Sequence, residues 1–314
     1  MTLLRSIVRS CLFVSLLLAT CVDGQFRKLF LGMRPGPEGA VWVHRWCRRI
    51  VRALGIVCEF EGRPPTVTAH ALAVVSNHLS YLDILIYSAI TPFIMVAKSE
   101  IRHWPLLGWI TAQAGTVYVQ RADVKGGQTQ THAQVNAAMR EAYRSGLPVL
   151  FFPEGTTTDG TGVLPFRRGL YHSILADDVP INAAAMAFWL DGPDPGATVA
   201  NEVCFWGDMV FGPHLFRCLG LRGLRVSVRF DRTRIRGEDR FALAVNSYES
   251  TVALHASLLA TRLAEHPVCG IADHESIATA KTPCAMPPSS TSANPAAFRA
   301  PYCPEISRRN AVRP

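Results

Sequence analysis

The sequence predicts an α/β fold: a mixed, mostly parallel sheet covered by helices, preceded by an N-terminal helical segment suited to docking on a membrane. Three observations predict it. Seven apolar runs, at residues 71–75, 93–97, 117–119, 149–152, 181–188, 203–206 and 226–230, have the length and composition of buried strands. Patterns of helical period fall between several of them, and strands alternating with helices argue for a sheet covered on both faces. The first fifth of the chain differs from the rest in charge and in hydropathy.

The chain opens with Arg5 and Arg9 ahead of an apolar stretch from Cys11 to Val22. This has the charge and length of a cleaved signal peptide. It also reads as a retained anchor, too short to span a bilayer unless Ile7 and Val8 contribute. A helix follows over residues 39–54. Trp42, Val43, Trp46, Ile50, Val51 and Leu54 fall near one face, and Arg45, Arg48, Arg49 and Arg52 cover the remainder. Tryptophans beside basic residues suit a membrane interface, although a surface helix packed on a core has the same look. Two further helices are predicted. Residues 131–145 place Val135, Ala138, Met139, Ala142 and Tyr143 on one face and stop at Gly146. Residues 239–264 repeat Phe241, Val245, Tyr248, Val252, His255 and Leu259 at steps of three and four. Beyond His266, eight of the 21 prolines fall within residues 267–314. Such a segment buries too little apolar surface to offset its ordering entropy and is expected to be a disordered tail. The division is therefore an N-terminal anchor and amphipathic helix (1–65), a catalytic domain (66–266) and a Pro/Ser-rich tail (267–314).

Charged residues make up 18% of the 314, and the formal net charge is +8. Residues 1–66 contain ten Lys and Arg against four Asp and Glu, so +6 of that charge sits at the front, where it would be drawn to an anionic surface. No basic run is interleaved with aromatics as nucleic-acid modules require, so nucleic acid is not an expected partner. The nine cysteines form no CxxC pair and no zinc-type Cys/His spacing, and no metal site is expected. An odd count in a large chain argues against a disulfide framework and for a reducing compartment.

Three constellations carry chemistry. Ser76-Asn77-His78-Leu79-Ser80-Tyr81-Leu82-Asp83 follows the first predicted strand and opens a helix. A histidine at a strand end, with an aspartate five residues on in a helical turn, makes a general base whose imidazole the carboxylate orients. Alone, the pair equally describes a capping aspartate beside a surface histidine. Phe152-Pro153-Glu154-Gly155-Thr156-Thr157-Thr158 also follows a strand, and turns of this kind present N–H groups and hydroxyls to an anion. It lacks the Gly-Lys-Ser/Thr ending of a nucleotide-binding loop. The third comprises Lys98, Glu100, Pro105, Gly108, Gly115 and Arg121, where Arg121 closes a short strand and can hold a phosphate through a forked pair of hydrogen bonds. Pro165-Phe166-Arg167-Arg168-Gly169 adds a further basic site.

In this order the blocks resemble the glycerolipid acyltransferase family, which includes the bacterial 1-acyl-glycerol-3-phosphate acyltransferases. Asn77-His78 with Asp83 matches its first block, Lys98 to Arg121 the second, Phe152-Pro153-Glu154-Gly155-Thr156 the third, and Val179-Pro180-Ile181 opens the fourth; the match covers about two fifths of the chain. The resemblance implies that His78 is the general base and Asp83 its orienting partner. It further implies that Glu154, Gly155 and Thr156 help bind the acceptor's polar head, with Arg121 on its phosphate. The tetrahedral oxyanion formed in such a transfer needs a donor, for which Lys98 is a candidate. The implied reaction moves a fatty acyl group from acyl-CoA or acyl-carrier protein, a donor substrate rather than a cofactor, to a lysophospholipid. Lysophosphatidic acid, giving phosphatidic acid, is the leading acceptor, and another lysolipid such as a lyso-ornithine lipid is the alternative. The family often has an arginine after Glu-Gly-Thr where this chain has Thr157 and Thr158, which weakens the case for a phosphate unless Arg167 and Arg168 compensate. The fourth block carries Ala183 after Asn182 where a second proline is usual.

The resemblance also implies a two-helix front end docked among membrane lipids, on the cytoplasmic face of a bacterial inner membrane. A signal peptide would export the chain from its thioester donors, so the retained anchor is preferred. A hydrolase is disfavoured because no Gly-x-Ser-x-Gly elbow occurs and Ser76 and Ser80 lie too close to His78 for a usual triad. A non-catalytic scaffold is disfavoured because His78, Asp83 and Glu154 are all present.

Overall fold

The structure, a computed structural model, describes residues 2–65, 71–120, 132–192 and 194–265. Arg121 and the predicted tail lie outside the described residues. The chain runs α1 (Thr2–Phe30), α2 (Pro37–Ala53), β1 (Val57–Glu61), β2 (Ala73–Val75), α3 (Leu82–Ile90) and β3 (Ile94–Lys98). A 3₁₀ turn (Ser99–His103), α4 (Leu107–Gln113), β4 (Val117–Val119), α5 (His132–Arg144), β5 (Val149–Phe151) and α6 (Tyr171–Ala176) follow. β6 (Ile181–Leu190), α7 (Val199–Glu202), α8 (Phe211–Gly220), β7 (Leu224–Ile235) and α9 (Arg240–Glu265) complete it.

The strands form one sheet of order β1-β7-β6-β2-β5-β3-β4. Every pairing is parallel except β6 with β7, so β1 and β7 run against the other five. This is the mixed, mostly parallel sheet the sequence predicts. Six of the seven apolar runs are strands, and the patterns at 39–54, 131–145 and 239–264 are α2, α5 and α9. Residues 203–206 are not a strand: they link α7 to α8, and their apolar character comes from Val203 and Cys204, both fully buried. The strand that sequence reading missed is β1. Its Glu59 and Glu61 break the apolar pattern because they lie at an exposed edge, paired with Arg225 and Arg229 of β7.

The centre of the sheet is dry. Ala73, Val74 and Val75 of β2, Val149 and Leu150 of β5, and Ile181 to Met186 of β6 apart from Asn182 have no exposed surface. Continuous burial of this kind is expected where helices cover both faces. Trp42, Ile50 and Val51 of α2, Leu54 just past its end and Leu17 of α1 share one apolar cluster with Val74, Ile86 and Phe230. By length and composition α1 could cross a membrane over Leu3–Phe30, yet one of its faces is held by the protein. Arg5 Nε donates to Gly220 O at 2.9 Å and Arg9 Nη1 to Leu221 O at 2.6 Å, cations on the last carbonyls of α8. Nearer the other end, Trp42 Nε1 and Trp46 Nε1 each donate to Asp23 Oδ2 at 2.8 Å. The opposite face leaves Leu4, Val8, Leu18, Val22, Phe26 and Leu29 exposed.

Candidate active site

β2 and β5 are adjacent and parallel, with Val75 opposite Phe151. His78 and Glu154 each lie three residues past that last pair, so the register delivers both to one edge of the sheet. The histidine loop then folds around a single carboxylate. Asp83, in the first turn of α3 and with no exposed surface, accepts on Oδ2 from His78 Nδ1 at 2.7 Å, Leu79 N at 2.6 Å and Ser80 N at 3.0 Å. The Asp83 contact fixes the imidazole tautomer: Nδ1 carries the proton, and Nε2 is left as the basic atom. The His78 side chain keeps 20% of its surface exposed, and Nε2 makes no hydrogen bond among the described residues.

The other wall of the site holds the histidine from its backbone. Glu154 Oε1 accepts from His78 N at 2.7 Å and Oε2 from Leu164 N at 2.8 Å. At 2% exposure the carboxyl faces inward, and burial pushes it up to about 7 against the two hydrogen bonds that lower it. Thr158 N donates to His78 O at 2.9 Å, and the Phe152 ring stacks on the imidazole with centroids 4.1 Å apart and planes 9° from parallel. Asn77 bridges to the next strand, donating to Met186 O at 2.9 Å and accepting from Met186 N at 2.8 Å. The roles of Phe152 and Asn77 went unread in the sequence, whose only signal is their place inside the two motifs.

Gly155 has φ +72°, and a side-chain carbon there would come within 2.8 Å of Arg167 Nε. The Arg167 side chain therefore lies across the Glu154-Gly155 turn, and the Arg167 backbone N–H donates to Pro153 O at 2.8 Å. Thr156 is exposed and Thr157 partly so. Lys98 ends β3, next to β5 in the sheet, and is exposed at the same edge. His78, Asp83, Glu154, Gly155 and Arg167 thus come together, with Thr156, Thr157 and Lys98 on the periphery. Among the described residues no group of three His, Cys, Asp or Glu is arranged to hold a metal ion. An imidazole with a buried carboxylate behind it and an open Nε2 in front can take a proton from a hydroxyl and return it to a leaving group.

A family model described as Acyltransferase matches residues 57–187. The 1-acyl-sn-glycerol-3-phosphate acyltransferase of Neisseria meningitidis is 32% identical over 211 residues, covering 67% of this chain and 78% of that protein. The lyso-ornithine lipid O-acyltransferase of Brucella abortus is 32% identical over 253 residues, 76% and 90% of the two. The crystal structure of the 1-acyl-sn-glycerophosphate acyltransferase of Thermotoga maritima shares the fold with a TM-score of 0.51 at 16% identity, over 80% of this chain and 98% of that one.

Proposed function

This chain belongs to the acyltransferase family of the bacterial lysophospholipid-modifying enzymes, and from that premise we propose that it esterifies the free hydroxyl of 1-acyl-sn-glycerol-3-phosphate, giving phosphatidic acid. The observation that carries the reading is the 2.7 Å contact between His78 Nδ1 and Asp83, which leaves Nε2 open beside the Glu154-Gly155-Thr156 turn. His78 Nε2 takes the proton as the hydroxyl oxygen attacks the thioester carbonyl of acyl-CoA or acyl-carrier protein. A tetrahedral oxyanion forms, for which Lys98 is the candidate donor. Its collapse breaks the carbon–sulfur bond, and the departing thiolate recovers the proton from His78. Arg167, laid over Gly155, supplies the guanidinium for the acceptor phosphate, with Thr156, Thr157 and Arg121 as further contacts.

Thr157 in place of the arginine common at this position favours a second acceptor, a lyso-ornithine lipid, for which relatives of that name give support. The exposed face of α1 and the arginines of α2 support docking on the cytoplasmic face of the inner membrane. The test is acyl transfer by wild type beside His78→Ala, with labelled acyl-CoA and acyl-carrier protein, each offered lysophosphatidic acid, other lysophospholipids and a lyso-ornithine lipid. Acylation of one acceptor, lost by about 10² to 10⁴-fold in the alanine variant, supports the general-base reading and names the acceptor. Full activity of the variant, or no acylation with either donor, sinks it.

A further inference from the structure

We propose that His214 of α8 is a positioning residue for the reaction: through Tyr81 it holds the loop on which His78 sits. The inference rests on His78 being the general base, and it adds to that reading a brace from outside the sequence motifs.

Two peptide groups follow His78, and all four of their polar atoms are held. Thr158 N donates to His78 O at 2.9 Å, and Leu79 N and Ser80 N both donate to Asp83 Oδ2. Those partners belong to the motifs. The fourth atom, Leu79 O, accepts from Phe205 N at 2.8 Å. Phe205 lies in the link between α7 and α8, beyond the residues 57–187 that the family model matches. A side-chain carbon on Gly160 would come 3.2 Å from Cys204 Sγ and 3.8 Å from Leu79 Cδ2. This link, the turn at Gly160 and the histidine loop therefore meet at one joint.

Side chains close the joint. The Tyr81 ring packs on Phe205, Phe211 and His214 with centroids 5.5, 5.0 and 5.7 Å away. Its hydroxyl lies 3.0 Å from His214 Nδ1, with the Cys218 thiol as another neighbour. His214 has no exposed surface. A phenylalanine would fill that space without the cost of burying ring nitrogens, so packing alone does not account for an imidazole there. Burial also lowers its pKa, so near pH 7 the ring is neutral and its bond to Tyr81 joins two uncharged groups. The charged groups that act on it, Arg217 and Glu202, are paired with each other. A loop pinned at Tyr81 keeps Leu79 N and Ser80 N on Asp83, and so keeps the carboxylate behind the His78 imidazole.

The experiment combines hydrogen–deuterium exchange of the full chain in detergent with steady-state transfer from labelled acyl-CoA. The acceptor is whichever of lysophosphatidic acid and a lyso-ornithine lipid the wild type acylates. His214→Phe is expected to speed exchange over residues 76–83 and to lower kcat about 10- to 100-fold with the acceptor KM unchanged. His214→Asn, whose amide places a polar atom near Nδ1, is expected to recover most of that loss. Tyr81→Phe removes the same bond from its other end, so the double variant should be no slower than the slower single one. Thermal melting verifies folding, and Tyr81→Phe, which loses one oxygen, carries the test if His214→Phe does not fold. The inference is overturned if a folded variant keeps wild-type kcat, even with faster exchange, since that marks a merely structural contact. It is equally overturned if exchange over residues 76–83 is unchanged, or if the two losses multiply. Failure of the general-base reading shows separately, as transfer that survives His78→Ala.

Discussion

Replacing Glu154 by glutamine keeps the shape of the side chain and changes only what its two terminal atoms offer. Both partners of the carboxylate are backbone donors, His78 N at 2.7 Å and Leu164 N at 2.8 Å. A glutamine supplies one acceptor and one donor, so one of these N–H groups meets an NH₂ and goes unpaired, at about 1–3 kcal/mol. The pH dependence is a second signature. Burial raises the carboxyl from 4.5 to about 7, so the folded protein holds this proton more tightly than the unfolded chain. The resulting stabilisation is complete below 4.5 and is lost as pH rises through about 7, a change on the order of 3 kcal/mol. Glutamine does not titrate. The advantage of wild type over Glu154→Gln in urea unfolding should therefore be largest at the acid end of this window and shrink or reverse on its alkaline side. In steady-state transfer, a brace on the His78 backbone lowers kcat and leaves the acceptor KM nearly unchanged. A raised acceptor KM with normal kcat, together with parallel pH–stability curves, would refute the brace and return Glu154 to direct contact with the acceptor head.

Asp83→Asn should lower kcat by about 10² to 10⁴-fold with a reduced melting temperature, since an amide nitrogen cannot accept from the N–H groups that now converge on Oδ2; single-turnover transfer with a parallel melt checks it, and near-normal turnover would contradict the orienting role. Gly155→Ala places a side-chain carbon 2.8 Å from Arg167 Nε at φ +72°, so it should cost about 1–2 kcal/mol and displace the guanidinium. Its acceptor KM should rise with kcat kept, measured against the proposed acceptor. Arg9→Ala removes a cation from the α8 carbonyls at Leu219 and Leu221. About 1 kcal/mol of stability should go with it, read as a shift in the urea midpoint with no change in the pH profile of transfer.

Sequence periodicity found the sheet wherever burial is continuous and misread it wherever burial and extended structure part company. Residues 203–206 are as apolar as a strand, yet they form a loop in which Val203 and Cys204 plug the core, while β1 carries two glutamates because an edge strand can present them to arginines. The short helices α4, α6 and α8, of 7, 6 and 10 residues, had too few turns to show a period against the apolar background. In the candidate site, residue type and spacing singled out His78, Asp83 and Glu154, which the fold brings into contact. What they could not show is direction. Glu154 turns both oxygens toward backbone N–H groups, and a backbone donor leaves no mark on the sequence. The Arg167 contact was half visible, since Gly155 and the basic Arg167-Arg168 pair were both noted, but the positive φ that lets one lie on the other arises only in the fold.

The ties between α1 and α8 also set a timetable for making the protein. Helix α1 is complete at Phe30, yet the carbonyls that Arg5 and Arg9 grip belong to Leu219, Gly220 and Leu221, roughly 190 residues later. At ribosomal speed that gap lasts about 10 to 40 s. For all of that interval the N-terminal half of α1 lacks the α8 carbonyls that later hold it. Both its faces, including the one later covered, need shelter, and a lipid surface within reach of the ribosome offers it. Under the membrane docking proposed above, α1 would settle on lipid before the strands that carry His78 and Glu154 are translated, and the late arrival of α8 would lock that placement.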